Sequence, residues 1–499
     1  MSHKSSSRFT FYASRFFSLG VLLLAYVLRF WYLGALPLIG DEAYYLLWSQ
    51  RLDWAYFDHP AGVALLTRLS TLVGGTSEFG VRWLNAAVGV LIVALLARVG
   101  RVLLSRRAGV FAAMVAALGA PFVVNARFVY TDALQLALML VNLWAFWRLV
   151  EQEASTAPCI WRALGFGLSL ALLFNTKYSA YVYAAALGLA LLLWHRSLLR
   201  RWDVWLSAGV AALGLLPVLG WNAAHDWASF RWQLAHFTSP SPGADAGGLL
   251  RQWINNAAQA WTYLTPPVVL AGVLGLGRLR KPGERLLTLI ALALLVPVAL
   301  SAANSPRNLI AGWLLLLLLA GERLRGWRTR RWVCTAFLLL LIGTTALYGV
   351  GTVAALSGYS EAPQSSVVLY ILEDVIGWPA FGAALSEMPS SLFVIDYGAA
   401  GQAAYYADRP AFTAWGQYQI WGYPAFDKVT VVARAFLPAD CITGELLTTF
   451  ETVQGPEVLP AAARGVTREL RVWHAQRLRV PQDAFLRRMD FLTLWEQCW

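Results

Sequence analysis

Long apolar runs, each about the length of a bilayer crossing, fill most of the first 355 residues of this chain. A helix needs roughly 20 apolar residues to cross about 30 Å of hydrocarbon, and inside that layer the backbone must satisfy its own hydrogen bonds. The runs predict spans at 13–33, 80–103, 108–126, 132–150, 160–176, 178–196, 204–222, 258–278, 284–303, 307–322 and 332–354, about eleven in all. After Gly351–Tyr359 the apolar runs become short. Ser391–Tyr397, Lys428–Phe436 and Arg468–His474 read as strands, and Ala399–Ala407 as a helix. The predicted fold is a polytopic all-α membrane domain over 1–355, followed by a small extracytoplasmic α/β domain over 356–499.

Two polar connections are long, one over 34–79 and one over 221–259. The first holds two amphipathic stretches. In Asp41–Leu52, Tyr44, Leu47 and Trp48 share a helical face; in Pro60–Leu72, Leu65, Leu66, Leu69 and Leu72 form a stripe. Such helices lie in the interface plane. Gly398 and Gly401 follow a strand, but DYGAAG is not the dinucleotide fingerprint and reads as a plain turn.

Composition agrees with lipid: 58% of the 499 residues are hydrophobic and 14% charged, against about a quarter charged in soluble proteins. The net charge of +12 would suit nucleic acid, but its placement excludes that partner. Lys and Arg fall in every second connection: Lys4, Arg8 and Arg15; Arg98 to Arg107; Arg148 and Arg162; Arg196 to Arg201; Arg278 to Arg285; and Arg323 to Arg331. This positive-inside pattern puts the N-terminus in the cytoplasm and, with an odd number of spans, the C-terminal domain outside an inner membrane. The first apolar segment ends in Arg29-Phe30-Trp31-Tyr32 and reads as an uncleaved anchor. The 24 tryptophans suit interfacial belts. Cys159 and Cys334 fall at cytoplasmic helix ends, whereas Cys441 and Cys498 share the outside domain, where a disulfide is allowed. No internal repeat is evident, which counts against a repeat-built transporter.

Candidate chemistry collects at the outside ends of the spans. Asp41 and Glu42 are either first-turn acids of a helix or hold a general base for an acceptor hydroxyl. Asp58 and His59 either cap a helix or hold a metal or phosphate. Arg127 and Asp132 are ionisable groups at bilayer depth, where charge is expensive. Lys177 breaks the positive-inside trend, by snorkelling or by contacting phosphate. Trp221 to Arg231, with His225, is polar and aromatic together, and Arg307 lies in a further outside connection. Acids and bases gathered at one interface suit a phosphate leaving group and a hydroxyl nucleophile.

GDEAYYLLWSQ, YFDHP, RFVYTDALQLALML, NTKY and WNAAHDWASFRWQ, in that order, resemble the bacterial branch of the protein O-mannosyltransferase-like glycosyltransferases, which includes the aminoarabinose transferases of lipid A. FVIDYGAAGQAAYY and the later YQIW stretch resemble that family's extracytoplasmic domain. The resemblance implies the C-type membrane glycosyltransferase fold. It also implies a polyprenyl-phosphate sugar donor, a lipid, glycan or protein acceptor, and inversion in a single displacement. Carried over, Asp41, Glu42 and Asp132 are catalytic and His59 takes the basic position of the YF-acid-basic-Pro element; beside them Arg127, Lys177 and Arg307 are the expected phosphate contacts, and Tyr44, Tyr45 and Tyr178 further substrate-binding candidates. No organic cofactor is implied; a divalent cation would sit by analogy at Asp58 and His225. Position 59 carries His where aminoarabinose transferases carry Lys, and the Asn-Trp-Pro pattern common in relatives is missing near Arg307. The competing readings are a secondary transporter or lipid flippase, whose key charges belong near the midplane, and a non-enzymatic scaffold displaying the C-terminal domain.

Overall fold

The computed structural model describes residues 19–151, 159–238, 246–277, 279–301, 305–324, 335–346, 374–463 and 466–498. The chain divides into two compact units. One comprises 1–33, 53–75 and 82–348; the other comprises 34–52, 76–81 and 349–499. The division does not follow a cut at residue 355, because Gly34–Leu52, with Asp41 and Glu42, groups with the C-terminal segment.

The first unit is helical. Among the described residues four helices are long and apolar enough to cross a membrane: Glu78–Leu103, which falls in this unit from residue 82 on, Thr131–Val150, Trp202–Ala224 (with a short break) and Pro282–Leu300. A fifth crossing is supplied if the bent pair Arg106–Leu118 and Ala120–Arg127 counts as one. Shorter apolar helices include Leu19–Phe30, Gly62–Gly74, Ile160–Phe174, Ser179–Trp194 and Thr335–Ala346. The predicted spans 13–33 and 332–354 lie partly outside the described residues, as do Cys334, Lys4, Arg8, Arg15, Arg278 and Arg325. At the centre runs Ile310–Arg323, whose leucines 314 to 319 are all buried. A helix apolar on every side is one that protein surrounds; this one packs on Arg106–Leu118, Pro266–Gly275 and Pro282–Leu300.

Two predicted spans are broken. The run 108–126 bends by 63° at Gly119, because Pro121 has no N–H for the preceding turn. The carbonyls freed there find a partner: Arg29, buried to 1% exposure, donates to Ala116 O at 2.7 Å and Ala117 O at 3.3 Å. The predicted span 258–278 is not one helix but two, Ala246–Leu264 and Pro266–Gly275. Thr265 between them has φ of 69°, and two prolines follow. The connection over 221–259, expected as a loop, is mostly helical, with Ala228–Thr238 and the start of Ala246–Leu264 inside it.

The second unit is built on a five-stranded sheet in the order β2-β1-β3-β5-β4. The strands are β1 (Ser391–Val394), β2 (Ala411–Phe412), β3 (Lys428–Arg434), β4 (Phe450–Ala463) and β5 (Val466–Leu478). β1 runs parallel to β2 and β3, and β5 joins β3 to the edge strand β4 by antiparallel pairing. β4 contains Pro456 and Pro460 and shifts register between Gln454 and Glu457; an edge tolerates residues that cannot donate to the ladder. Cys441 and Cys498 form a disulfide, with Cα atoms 5.9 Å apart.

In this unit the Gly40–Gln50 helix of the first long connection packs along the Tyr397–Tyr406 helix. The approach is too close for side chains. A Cβ added at Gly40 would lie 2.8 Å from Gly398 Cα, and one at Gly401 would lie 2.8 Å from Tyr44 N. The glycines of DYGAAG therefore sit in a helix and make room for another, rather than forming a turn.

Candidate active site

In the helical unit, the chain brings three distant polar segments together. Asp132 stands in the first turn of Thr131–Val150, Lys177 in the Asn175–Tyr178 connection, and Asn308 in the Pro306–Leu309 turn. The Lys177 ammonium donates to Asp132 Oδ1 at 2.7 Å and to Asn308 Oδ1 at 2.8 Å. Both members of the ion pair are largely buried, with 13% and 7% of their side chains exposed. The Arg307 guanidinium lies over the Tyr130 ring, 4.2 Å from its centre, and Arg307 and His59 are both within electrostatic reach of Asp132. Local backbone geometry holds His59 there. Tyr56 N donates to His59 O, an Ala55–Pro60 bridge closes the turn, and Gly62 N donates to Asn175 O at 2.7 Å. Gly62 cannot be larger, since a Cβ would lie 2.5 Å from that same carbonyl.

The other expected site residues of this unit make contacts of their own. Arg127 donates to Tyr32 O at 3.3 Å. The Tyr178 hydroxyl makes a short hydrogen bond with Ser229 Oγ, and its ring meets Phe230 edge-on. His225 stacks on Trp221 at 4.2 Å and bonds its carbonyl through Nδ1, while Trp221 Nε1 donates to Asp53 Oδ2. Burial pushes the Tyr56 phenol, which accepts from Asp53 N, up to about 12. The Asp58 carbonyl accepts from Gln233 Nε2. Among the described residues no group of three His, Cys, Asp or Glu side chains could hold a metal ion. Asp58 and His225 therefore do not fit the expected cation site without further ligands.

In the second unit, the Asp41-Glu42 pair splits into two roles. Glu42 is fully buried and its carboxylate turns back to accept from Ile39 N at 3.0 Å. That is the return bond of a capping box, so the helix-start reading accounts for it. Asp41, the residue before it, is partly exposed and accepts a hydrogen bond from the Tyr397 hydroxyl at 2.9 Å. Tyr44 and Tyr45, expected to contact substrate, are core residues at 1% and 4% exposure. Tyr44 stacks on Tyr418 and crosses Tyr397 and Trp48, and Tyr45 meets Trp48 edge-on. Tyr44 thus packs its helix against Tyr397 and Tyr418 of other helices, while Tyr45 packs within its own.

A polar network that sequence inspection did not single out fixes the start of this acidic helix. Asp374 accepts from Gly40 N and from Arg434, both at 2.6 Å. Arg434 also reaches Asp396, the N-cap of the Tyr397–Tyr406 helix. Gln402 donates to Leu38 O and Asp374 O. Burial pushes the Asp374 carboxyl above the usual carboxylate range, against the opposing pull of Arg434 and the Gly40 N–H. Nothing in one sequence links residues 40 and 374; only the Asp396 cap, three residues before a helical Ala399, carries a local signal.

Residues 58–221 match the family model for dolichyl-phosphate-mannose-protein mannosyltransferases. A lipid A galacturonosyltransferase, RgtD of Rhizobium johnstonii, is 24% identical over 290 residues, covering 58% of this chain and 59% of that protein. The chain thus aligns with under two thirds of the length of the curated relative it matches. Among solved structures, the ArnT of Cupriavidus metallidurans bound to undecaprenyl phosphate superposes with a TM-score of 0.60 at 17% identity, covering 91% of this chain and 97% of that one. Its apo form gives 0.57 at 16% identity, over 92% and 98%. The expected fold class holds at the level of a polytopic helical membrane fold, the one shared with ArnT, and over residues 58–221 the chain is similar to the dolichyl-phosphate-mannose-protein mannosyltransferases.

Proposed function

We propose that this protein transfers a sugar from a polyprenyl-phosphate carrier to an acceptor at the extracytoplasmic face of the inner membrane, inverting the anomeric carbon. The observation that carries the reading is the Lys177–Asp132–Asn308 cluster with Arg307 and His59 beside it. Of the three ammonium N–H donors of Lys177, Asp132 and Asn308 take two among the described residues. The third is free to meet a phosphate oxygen. The matched family model and the undecaprenyl phosphate held by the ArnT neighbour support a polyprenyl carrier. Lipid A in the name of the galacturonosyltransferase relative supports a glycolipid acceptor, with glycan and protein acceptors as the alternatives.

The acceptor oxygen attacks the anomeric carbon and forms the new C–O bond. The bond from that carbon to the phosphate oxygen breaks, its electron pair leaving with the polyprenyl phosphate. Lys177, Arg307 and His59 stabilise the charge that develops there, and preorganised cations in a water-poor site are worth more than in bulk water. Asp41, whose carboxylate accepts from the Tyr397 hydroxyl, is the general-base candidate that the sequence offers for the acceptor's proton. Phosphate leaves without protonation, so no acid partner of the kind found in glycosidases is required.

The test is incubation of purified full-length protein in lipid nanodiscs with radiolabelled undecaprenyl-phosphate sugars and lipid A. Label should move to the lipid acceptor or be released as free sugar. A parallel reconstitution in liposomes, in which label crosses the bilayer while none is transferred or released, would support the flippase reading.

A further inference from the structure

The second unit contains a cavity of about 900 Å³ that the proposed transfer chemistry does not use. Three helices supply much of its wall, with Glu78, the β1 and β2 ends and the 408–410 loop completing it. Leu47, Gln50 and Arg51 belong to the end of Gly40–Gln50 and its C-cap, Tyr405 to Tyr397–Tyr406, and Tyr418 and Trp421 to Gly416–Trp421. The volume falls within the range of roughly 300–1,000 Å³ common to small-molecule sites.

The lining chemistry narrows the occupant. Trp421 and Tyr405 are half-buried and offer aromatic surface, and the Arg51 guanidinium lies 4.8 Å from the centre of the Trp421 ring. Planar polar groups stand around them: Gln50, Arg51, Glu78 and Asp408. Two acids and two arginines line the space, and Arg409 is already engaged by the carbonyls of Leu385, Met388 and Ser390. The charges balance, which disfavours a polyanion, and the mixed wall, with four charged side chains among its apolar ones, disfavours an acyl chain. A pyranose has apolar C–H faces that lie flat on aromatic rings and hydroxyl edges that pair with amide, carboxylate and guanidinium groups. The close seating of the Gly40–Gln50 helix at Gly398 and Gly401 fixes one wall, so the site needs little ordering on binding. We propose that this cavity is a binding site for neutral pyranose saccharides. It stands independently of the transfer reaction.

The test uses full-length protein in lipid nanodiscs, without polyprenyl donor, on an array of neutral and acidic glycans. Wild type should retain neutral pyranose oligosaccharides. Trp421→Ala, which removes an aromatic anchor, should weaken retention roughly tenfold. Leu47→Trp, which fills the space, should do the same if Trp421→Ala fails to fold, and Arg51→Gln is a third, exposed substitution. Loss in any folded variant supports the site. The proposal is overturned if wild type retains no neutral glycan, if it retains acidic glycans alone, or if every folded variant binds as wild type does. Because no donor is present, these outcomes are separate from success or failure of sugar transfer.

Discussion

Lys177 and Asp132, 45 positions apart in sequence, form an ion pair of 2.7 Å that is largely withdrawn from solvent. Such a pair is weak evidence for stability, since desolvation offsets much of its Coulombic gain. Removing one partner is a different matter, because it leaves an uncompensated buried charge. The arrangement therefore separates two explanations of why the pair is there.

Lys177→Met should destabilise the protein by about 3–5 kcal/mol and abolish transfer. The double variant Lys177→Met/Asp132→Leu should regain most of the stability and none of the activity. Thermal unfolding in nanodiscs and transfer from radiolabelled donor, measured on both variants, check this. Recovery of transfer in the double variant would make the pair purely structural.

Asp41 and Tyr397 give a second test. Asp41→Asn should lower turnover by about 10²–10⁴-fold, the range for a positioned general base. Tyr397→Phe removes only the hydroxyl that Asp41 accepts from and keeps the ring on Trp415, 4.9 Å away. A fall in kcat of about tenfold with KM unchanged is expected from one lost hydrogen bond. Wild-type turnover by a correctly inserted Asp41→Asn protein would remove the base assignment.

Gly401→Val probes the seating of the acidic helix. A Cβ at this position would lie 2.8 Å from Tyr44 N, a backbone atom that cannot swing aside. The Gly40–Gln50 helix should lift from its bed, and limited proteolysis should cut within residues 34–52. An unchanged digestion pattern would show that the contact yields.

The apolar runs disclosed most of the helical unit, because lipid demands long, uncharged, internally bonded segments. They disclosed less where the backbone breaks. Thr265 in a left-handed conformation before Pro266 and Pro267 leaves the hydropathy of 258–278 unaffected, so two helices read as one. β4 escaped notice because Gly455, Pro456 and Pro460 are turn signals in isolation, and only the partner β5 shows that the strand is an edge. The acidic pair was conspicuous in the sequence, but its division was not: Glu42 is taken by the Ile39 amide, and the partner of Asp41 lies 356 positions away. Tyr44 and Tyr45 are expected substrate contacts whose burial one sequence does not show: Tyr44 stacks on Tyr418 of another helix and meets Trp48 of its own.

The disulfide offers a further check on the second unit. It closes a separation of 57 residues, for which chain entropy alone suggests about 4 kcal/mol. Cys441→Ser/Cys498→Ser should lower the unfolding temperature of the α/β unit, and reductant should reproduce the shift in wild type but not in the variant. Equal melting of reduced and oxidised protein would show that the bond adds nothing to stability.

Undecaprenyl phosphate binding tests the phosphate assignment most directly. Equilibrium affinity can be measured for wild type and for Lys177→Met/Asp132→Leu in the same nanodiscs, by competition with a radiolabelled carrier. At least roughly tenfold weaker binding is expected in the variant, a loss of about 1.4 kcal/mol. Equal affinity in two equally stable proteins would contradict the placement of the phosphate at Lys177.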